Sequence, residues 1–149
     1  MRIPIKYGLL IALGLIIWVV LAHQLVANPQ SPVHTLIGPV FFNILHFVMI
    51  FLGIKELERV KGDRLRFKEA LKTGISIAFV YALAASLFFV GVVLVVGTRW
   101  LAIEPGAATT PTRLLLVQAF AALFLGSIFL GLIYSTVISF FVAKRRSES

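Results

Sequence analysis

The chain contains no cysteine and only a few acidic residues. The absence of cysteine excludes disulfide bonds, cysteine nucleophiles and thiolate metal sites. Only 6 of the 149 residues are Asp or Glu, against 14 Lys and Arg, and 13% of the residues are charged. With 60% hydrophobic residues and a mean hydropathy of +1.01, the chain lacks the polar surface that a soluble domain of this size needs. The composition therefore indicates a protein that is solvated by lipid.

Four long apolar segments, none of which contains Asp, Glu, Lys or Arg, make up most of the chain. Because roughly 20 helical residues cross a hydrocarbon core, each segment is long enough to span a bilayer. We therefore predict an all-α fold, a polytopic membrane protein with one four-helix transmembrane domain covering residues 1–149. The predicted spans are residues 7–26, 36–54, 75–96 and 114–142. The first span also resembles a signal peptide ending at Ala27, but it is long for one and three further spans follow.

The basic residues are distributed unequally between the two ends of the predicted spans. Twelve of the 14 Lys and Arg lie before span one, between spans two and three, or after span four, and only Arg99 and Arg113 lie on the other side. The positive-inside rule therefore predicts that both termini are cytoplasmic. Topology accounts for the formal charge of +8, so nucleic acid is not an expected partner. The basic connection between spans two and three could also bind anionic lipid, although four acidic residues interrupt it.

Proline and glycine residues indicate where the helices begin, bend and end. Ser31 followed by Pro32 is a helix start signal before span two, and Gly38-Pro39 predicts a loosened or bent outer end of that span. Gly62-Asp63 predicts the turn in the basic connection. The third helix is expected to start near residues 64–67, before its fully apolar part.

Small residues recur at every fourth position in spans three and four. In lipid, helices associate through close backbone approach across small residues and through interhelical hydrogen bonds. We therefore predict that these two helices pack tightly on each other, with a right-handed crossing favoured. The alternative is that one of the ridges faces a second copy of the protein. The ridge residues are Ala70, Gly74, Ala78, Ala82 and Ser86 in span three, and Ser127, Gly131, Ser135 and Ser139 in span four.

Asn43 and His46 are the polar residues inside the membrane that best fit a functional site. They lie three positions apart and so share a face of helix two, with His46 near the middle of its span. The histidine could relay a proton or ligate a metal, or it could be a neutral imidazole that bonds to a neighbouring helix. We favour the neutral imidazole, because no apolar span contains Asp or Glu as a proton partner.

The outer ends of the helices contain further polar residues, including His23 and His34. A metal site there would have only two evident ligands, fewer than a closed site needs. A lipid-modifying enzyme would need these two histidines and Glu104 to form a cluster at the outer surface. We therefore expect no metal, no cofactor and no catalytic residue.

The junction between spans two and three resembles a known family. Here the chain reads Phe51-Leu52-Gly53-Ile54-Lys55, a charged turn, and then a segment from Phe67 through Ala70 to Gly74. This is similar to a bacterial family of small four-span membrane proteins that is classified only as a domain of unknown function. The resemblance implies a bacterial inner-membrane protein without an assigned activity, and it transfers no catalytic residue.

Two classes of function are consistent with these observations. The first is a non-enzymatic oligomeric or accessory module that acts through helix packing, with membrane lipids and either a second copy or another membrane protein as partners. The second is a small transporter or channel with a polar path near Asn43 and His46.

Overall fold

Four long α-helices form the described part of the chain, which in this computed structural model comprises residues 2–25, 31–62, 65–96 and 112–147. All four are long and apolar enough to cross a membrane, with mean hydropathies of their apolar parts between 1.8 and 2.5. No strand occurs within the described ranges. The prediction of an all-α protein with four spans is therefore confirmed. The helices are α1 (Ile3–Leu25), α2 (Gly38–Lys61), α3 (Phe67–Val96) and α4 (Thr112–Ser147).

Several helices continue beyond their apolar segments into charged sequence. α2 runs past residue 54 to Lys61, and α3 begins at Phe67, within the predicted range. Gly62 ends α2 with a φ of 58°, a backbone conformation that favours glycine, and its N–H donates a hydrogen bond to the carbonyl of Glu58. The expected turn therefore begins at Gly62, while Asp63 lies outside the described residues.

The start of α2 contains a stretch of irregular helix. A π-helical segment, Val33–Ile37, precedes the regular helix, and the Gly38 N–H donates to the carbonyl of Val33. Because Pro39 has no N–H, the chain cannot continue a regular hydrogen-bond ladder at this point, and the wider coil accommodates the interruption. Pro32, which directly follows Ser31, is the first helical residue, as the sequence predicts. The expected loosening therefore lies just before Gly38.

α3 is the central helix of the bundle. It packs most extensively on α4 and next on α1, and 39% of its apolar part is buried, against 6% for α4. A Cβ added at Gly8 of α1 would lie 2.7 Å from the Val80 Cβ, so glycine permits close approach of α1 to α3. On the other side of α3, a Cβ added at Gly131 of α4 would collide with the Ala78 Cβ.

Large aliphatic side chains fill the space between α1, α2 and α3. Ile11, Ile50, Ile54 and Ile77 are all at most 1% exposed. Each β-branched side chain has few rotamers in a helix, so it loses little side-chain entropy on packing. This cluster packs α1, α2 and α3 together along the part of α2 that lies between His46 and the charged residues from Lys55 onward.

Candidate functional site

Asn43 lies on the surface of the bundle and connects α2 to α4. Its Oδ1 accepts a hydrogen bond of 2.5 Å from the Tyr134 hydroxyl, and its Nδ2 donates one of 2.7 Å to the Pro39 carbonyl. The second bond satisfies a carbonyl one turn earlier in the same helix. The amide therefore has partners for both its oxygen and its nitrogen, which lowers the free-energy cost of placing it against lipid.

His46 lies inside the bundle and is only 4% exposed. Its ring centroid is 4.8 Å from that of Tyr81 in α3 and 5.6 Å from that of Tyr134 in α4, with both tyrosine rings at steep angles to the imidazole. Its Nε2 has no hydrogen-bond partner, and a Cβ added at Gly131 would lie 3.6 Å from that nitrogen. The imidazole thus occupies a closely packed position among three helices.

Two tyrosines and a serine connect the surroundings of Asn43 and His46. We call the set Asn43, His46, Tyr81, Ser127 and Tyr134 the midspan cluster. Tyr81, which is 9% exposed, has the Ser127 side chain of α4 as a polar neighbour. The cluster therefore joins α2, α3 and α4 through polar and aromatic contacts. Within the described residues it contains no acidic side chain, and no group of three or more His, Cys, Asp or Glu residues could hold a metal ion.

The small-residue ridges lie between α3 and α4. Ala70, Ala78, Ala82 and Ser86 are at most 1% exposed, and Gly74 is also buried. On α4, Gly131, Ser135 and Ser139 are buried while Ser127 is half-buried. The structure brings Gly74 against Ser135 and Gly131 against Ala78. Ser135 donates a 2.5 Å hydrogen bond to the Gly131 carbonyl, so its hydroxyl is satisfied within its own helix.

A second polar cluster lies where α1 begins and α2 ends. Glu56 Oε2 accepts hydrogen bonds from Lys6 Nζ at 2.6 Å and from the Tyr7 hydroxyl at 2.7 Å. Two further ion pairs lie close by along the chain, Lys55 with Glu58 at 3.3 Å and Lys61 with Glu69. These pairs are partly exposed, so each contributes little to stability by itself. Together they gather the charged side chains at one end of the bundle.

A groove of about 410 Å³ opens beside this second cluster, and we call it the basal groove. Charged side chains of α2 form its rim and apolar side chains form its wall. Its lining residues are Tyr7, Phe51, Leu52, Lys55, Glu56, Glu58 and Arg59.

Some of the sequence-based candidates cannot be placed. The side chains of His23 and His34 and all of residues 97–111, including Glu104, lie outside the described part of the structure. Asn43, which is exposed, and His46, which is buried, both contact Tyr134. The sequence predicts that Tyr81 and Tyr134 bond between helices but does not assign their partners, because helical spacing shows which residues share a face and not which helix packs against it.

Comparison with known proteins supports the assignment of the chain to a class. The family described as a protein of unknown function (DUF4199) matches residues 6–103, which is more than half of the chain. The chain therefore belongs to this family of uncharacterised proteins, and its four apolar helices make it a multi-pass membrane protein. No curated protein and no solved structure matched the chain.

Proposed function

We propose that this protein is a non-enzymatic membrane module that acts as a homo-oligomer or as an accessory subunit through helix packing. The observation that carries the proposal is the environment of His46. The rings of Tyr81 and Tyr134 pack against the His46 imidazole, and Gly131 also lies close to it. A transport path would need groups that exchange ions or protons with water, and such groups face cavities or one another.

The outward surface of α4 supports an interaction role. Only 6% of its apolar part is buried, and it presents a continuous set of large apolar side chains, including Leu125, Phe129 and Leu132. Thr136 on this surface donates a 2.8 Å hydrogen bond to the Leu132 carbonyl, so its hydroxyl does not need a lipid-side partner. This surface is suited to lipid and equally to a helix of a second subunit, because both are apolar.

The number of subunits per particle tests the proposal. The protein is labelled with one fluorophore per chain, reconstituted in bilayers at low density and counted by stepwise photobleaching, with chemical crosslinking in native membranes to capture other partners. We expect a defined oligomer or one stoichiometric partner. A matched pair of variants tests whether the exposed surface of α4 is the interface. Phe129→Ala truncates an exposed side chain of α4, and Leu13→Ala truncates an exposed side chain of α1 as the control. Only the first should reduce assembly. Single bleaching steps together with no crosslinked partner contradict the proposal.

A small transporter or channel is the second candidate, and the unpartnered Nε2 of His46 is the observation that favours it. In this hypothesis the path runs along the Asn43–Tyr134 contact to the imidazole. Proton and monovalent cation flux is measured in proteoliposomes for the natural chain and for the double variant Asn43→Leu, His46→Leu. Flux that depends on these two residues supports the transporter and contradicts the purely structural role, whereas flux that is unchanged in the double variant excludes this path.

The membrane and the orientation are further parts of the proposal. The excess of basic residues near the end of the bundle that contains Glu56 supports cytoplasmic termini. The family resemblance supports the inner membrane of a bacterium as the location.

A further inference from the structure

The ion pairs at the charged end of the bundle leave an excess of positive charge. Each of the three described acidic residues there has a basic partner, Glu56 with Lys6, Glu58 with Lys55 and Glu69 with Lys61. Eight Lys and Arg residues whose side chains the structure describes lie at this end, so most of this positive charge is not neutralised by the three pairs. Arg59, Arg66, Lys68 and Lys72 make no ion pair within 4.0 Å in the described part of the chain.

The basal groove brings part of this charge next to an apolar wall. Phe51, Lys55 and Arg59 are spaced four residues apart and therefore share one face of α2. Phe51 and Leu52 are 38% and 42% exposed. From them the exposed apolar surface of α2 continues toward the middle of the membrane through Val48, Phe47 and Ile44. The groove is thus lined at the end of the span by two cations and by two carboxylates that each have a lysine partner, and it continues into an apolar surface at the depth of the acyl chains.

We propose that the basal groove binds an anionic phospholipid, with the phosphate against Arg59 and Lys55 and one acyl chain over Phe51 and Leu52. The Lys55 ammonium group has three donors, so it can keep its contact with Glu58 and still donate to a phosphate oxygen. The guanidinium of Arg59 presents a planar pair of donors that fits phosphate oxygens. A soluble phosphate would use the cations alone, whereas the apolar wall indicates an amphiphile.

Native mass spectrometry tests this site. The full chain is reconstituted with equal amounts of phosphatidylglycerol and phosphatidylcholine that carry identical acyl chains, and the retained lipids are counted. We expect the natural chain to retain phosphatidylglycerol preferentially. Arg59→Gln should reduce that retention about fivefold, the effect expected from one cation at a lipid surface. Excess glycerol phosphate, which has the headgroup charge without acyl chains, should not displace the lipid.

Arg66→Gln is the matched control, because Arg66 is also an exposed cation at the same end but does not line the groove. It should leave the retention unchanged. Leu52→Trp is a second test that does not change the charge, since a larger side chain in the wall should displace the acyl chain and also reduce retention. Equal losses in the two arginine variants would show diffuse surface attraction and overturn the proposal. Equal retention of both lipids by the natural chain, or displacement by glycerol phosphate, would overturn it as well.

Discussion

His46 shows how a polar side chain can serve a structural purpose inside a membrane protein. Its imidazole is 4% exposed, lies against Tyr81 and Tyr134, and has an Nε2 atom without a partner. An unsatisfied buried polar atom costs about 1–3 kcal/mol. Edge-to-face aromatic contacts contribute about 0.5–1.5 kcal/mol each in the opposite direction. These effects are similar in size, so the imidazole has little net influence on stability in its neutral form.

The substitution His46→Leu tests this balance. The leucine removes the unsatisfied nitrogen and also the ring contacts, so the free energy of unfolding should change by no more than about 1 kcal/mol. His46→Arg places a guanidinium, which stays charged when buried, at the same position without an acidic partner in the described residues, and it should prevent recovery of folded protein. Denaturant unfolding in mixed micelles measures the first effect and gel filtration measures the second. A loss above about 3 kcal/mol in the leucine variant would show that the imidazole makes a strong bond.

Tyr134 and Asn43 form the hydrogen bond that joins α4 to α2. Interhelical hydrogen bonds of this kind contribute about 0.6 kcal/mol on average and up to about 1.7 kcal/mol. We expect Tyr134→Phe to reduce the free energy of unfolding by an amount in this range. A double-mutant cycle with Asn43→Leu should give a coupling energy of the same size, because the two side chains share one bond. Thr136→Val is the control, since its hydroxyl bonds only within α4. A coupling energy near zero would contradict the contact.

At the scale of the helices, the close contact of α3 and α4 depends on two glycines that have no room for a side chain. A Cβ at Gly131 would collide with the Ala78 Cβ, and one at Gly74 would collide with Ser135. Gly126 in α4 and Gly91 in α3 have no heavy atom within 4 Å of an added Cβ. The same substitution should therefore have opposite effects at these two kinds of position.

We expect Gly131→Ala to destabilise the protein by about 1–3 kcal/mol, the usual effect of overpacking. Gly126→Ala should be neutral or should stabilise it by up to about 1 kcal/mol, because alanine is the better helix former. Thermal unfolding followed by the loss of monodisperse protein measures both variants side by side. If both shift the midpoint in the same direction, the contact between Gly131 and Ala78 does not determine the stability of this helix pair.

The existence of four membrane-spanning helices could be predicted because span length and hydropathy depend on local sequence and bilayer thickness. The small-residue spacing indicated surfaces suited to close approach, but it could not identify the neighbour. Gly8 shows this limit, since its close approach to Val80 places α1 against α3 and leaves α3 in the middle of the bundle. The same limit applies to the midspan cluster, where the spacing of Asn43 and His46 does not identify Tyr134 as a residue that contacts both. Such contacts depend on the rotation of one helix relative to another.

At the scale of the whole molecule, α3 connects the other helices. It contacts α1 across Gly8 and α4 across the small-residue ridges, while α4 is otherwise mostly open to its surroundings. Because the attraction between α3 and α4 depends on fitted surfaces, loosening this contact should separate α4 from a unit formed by α1, α2 and α3. This arrangement gives α4 the greatest freedom to take part in contacts with another subunit.

The distribution of basic residues predicts how the bundle is oriented in the membrane. The lack of cysteine in the natural chain makes single-cysteine labelling unambiguous. Lys68 lies in the first turn of α3 and Arg113 in the first turn of α4, both side chains are exposed, and each replacement removes one cation, so the two variants are matched. In intact bacterial cells, a membrane-impermeant maleimide should label Arg113→Cys and should label Lys68→Cys only after the membrane is permeabilised, because the basic residues favour the cytoplasmic side. The reverse pattern would show that the termini lie outside, and labelling of both in intact cells would show a mixed orientation.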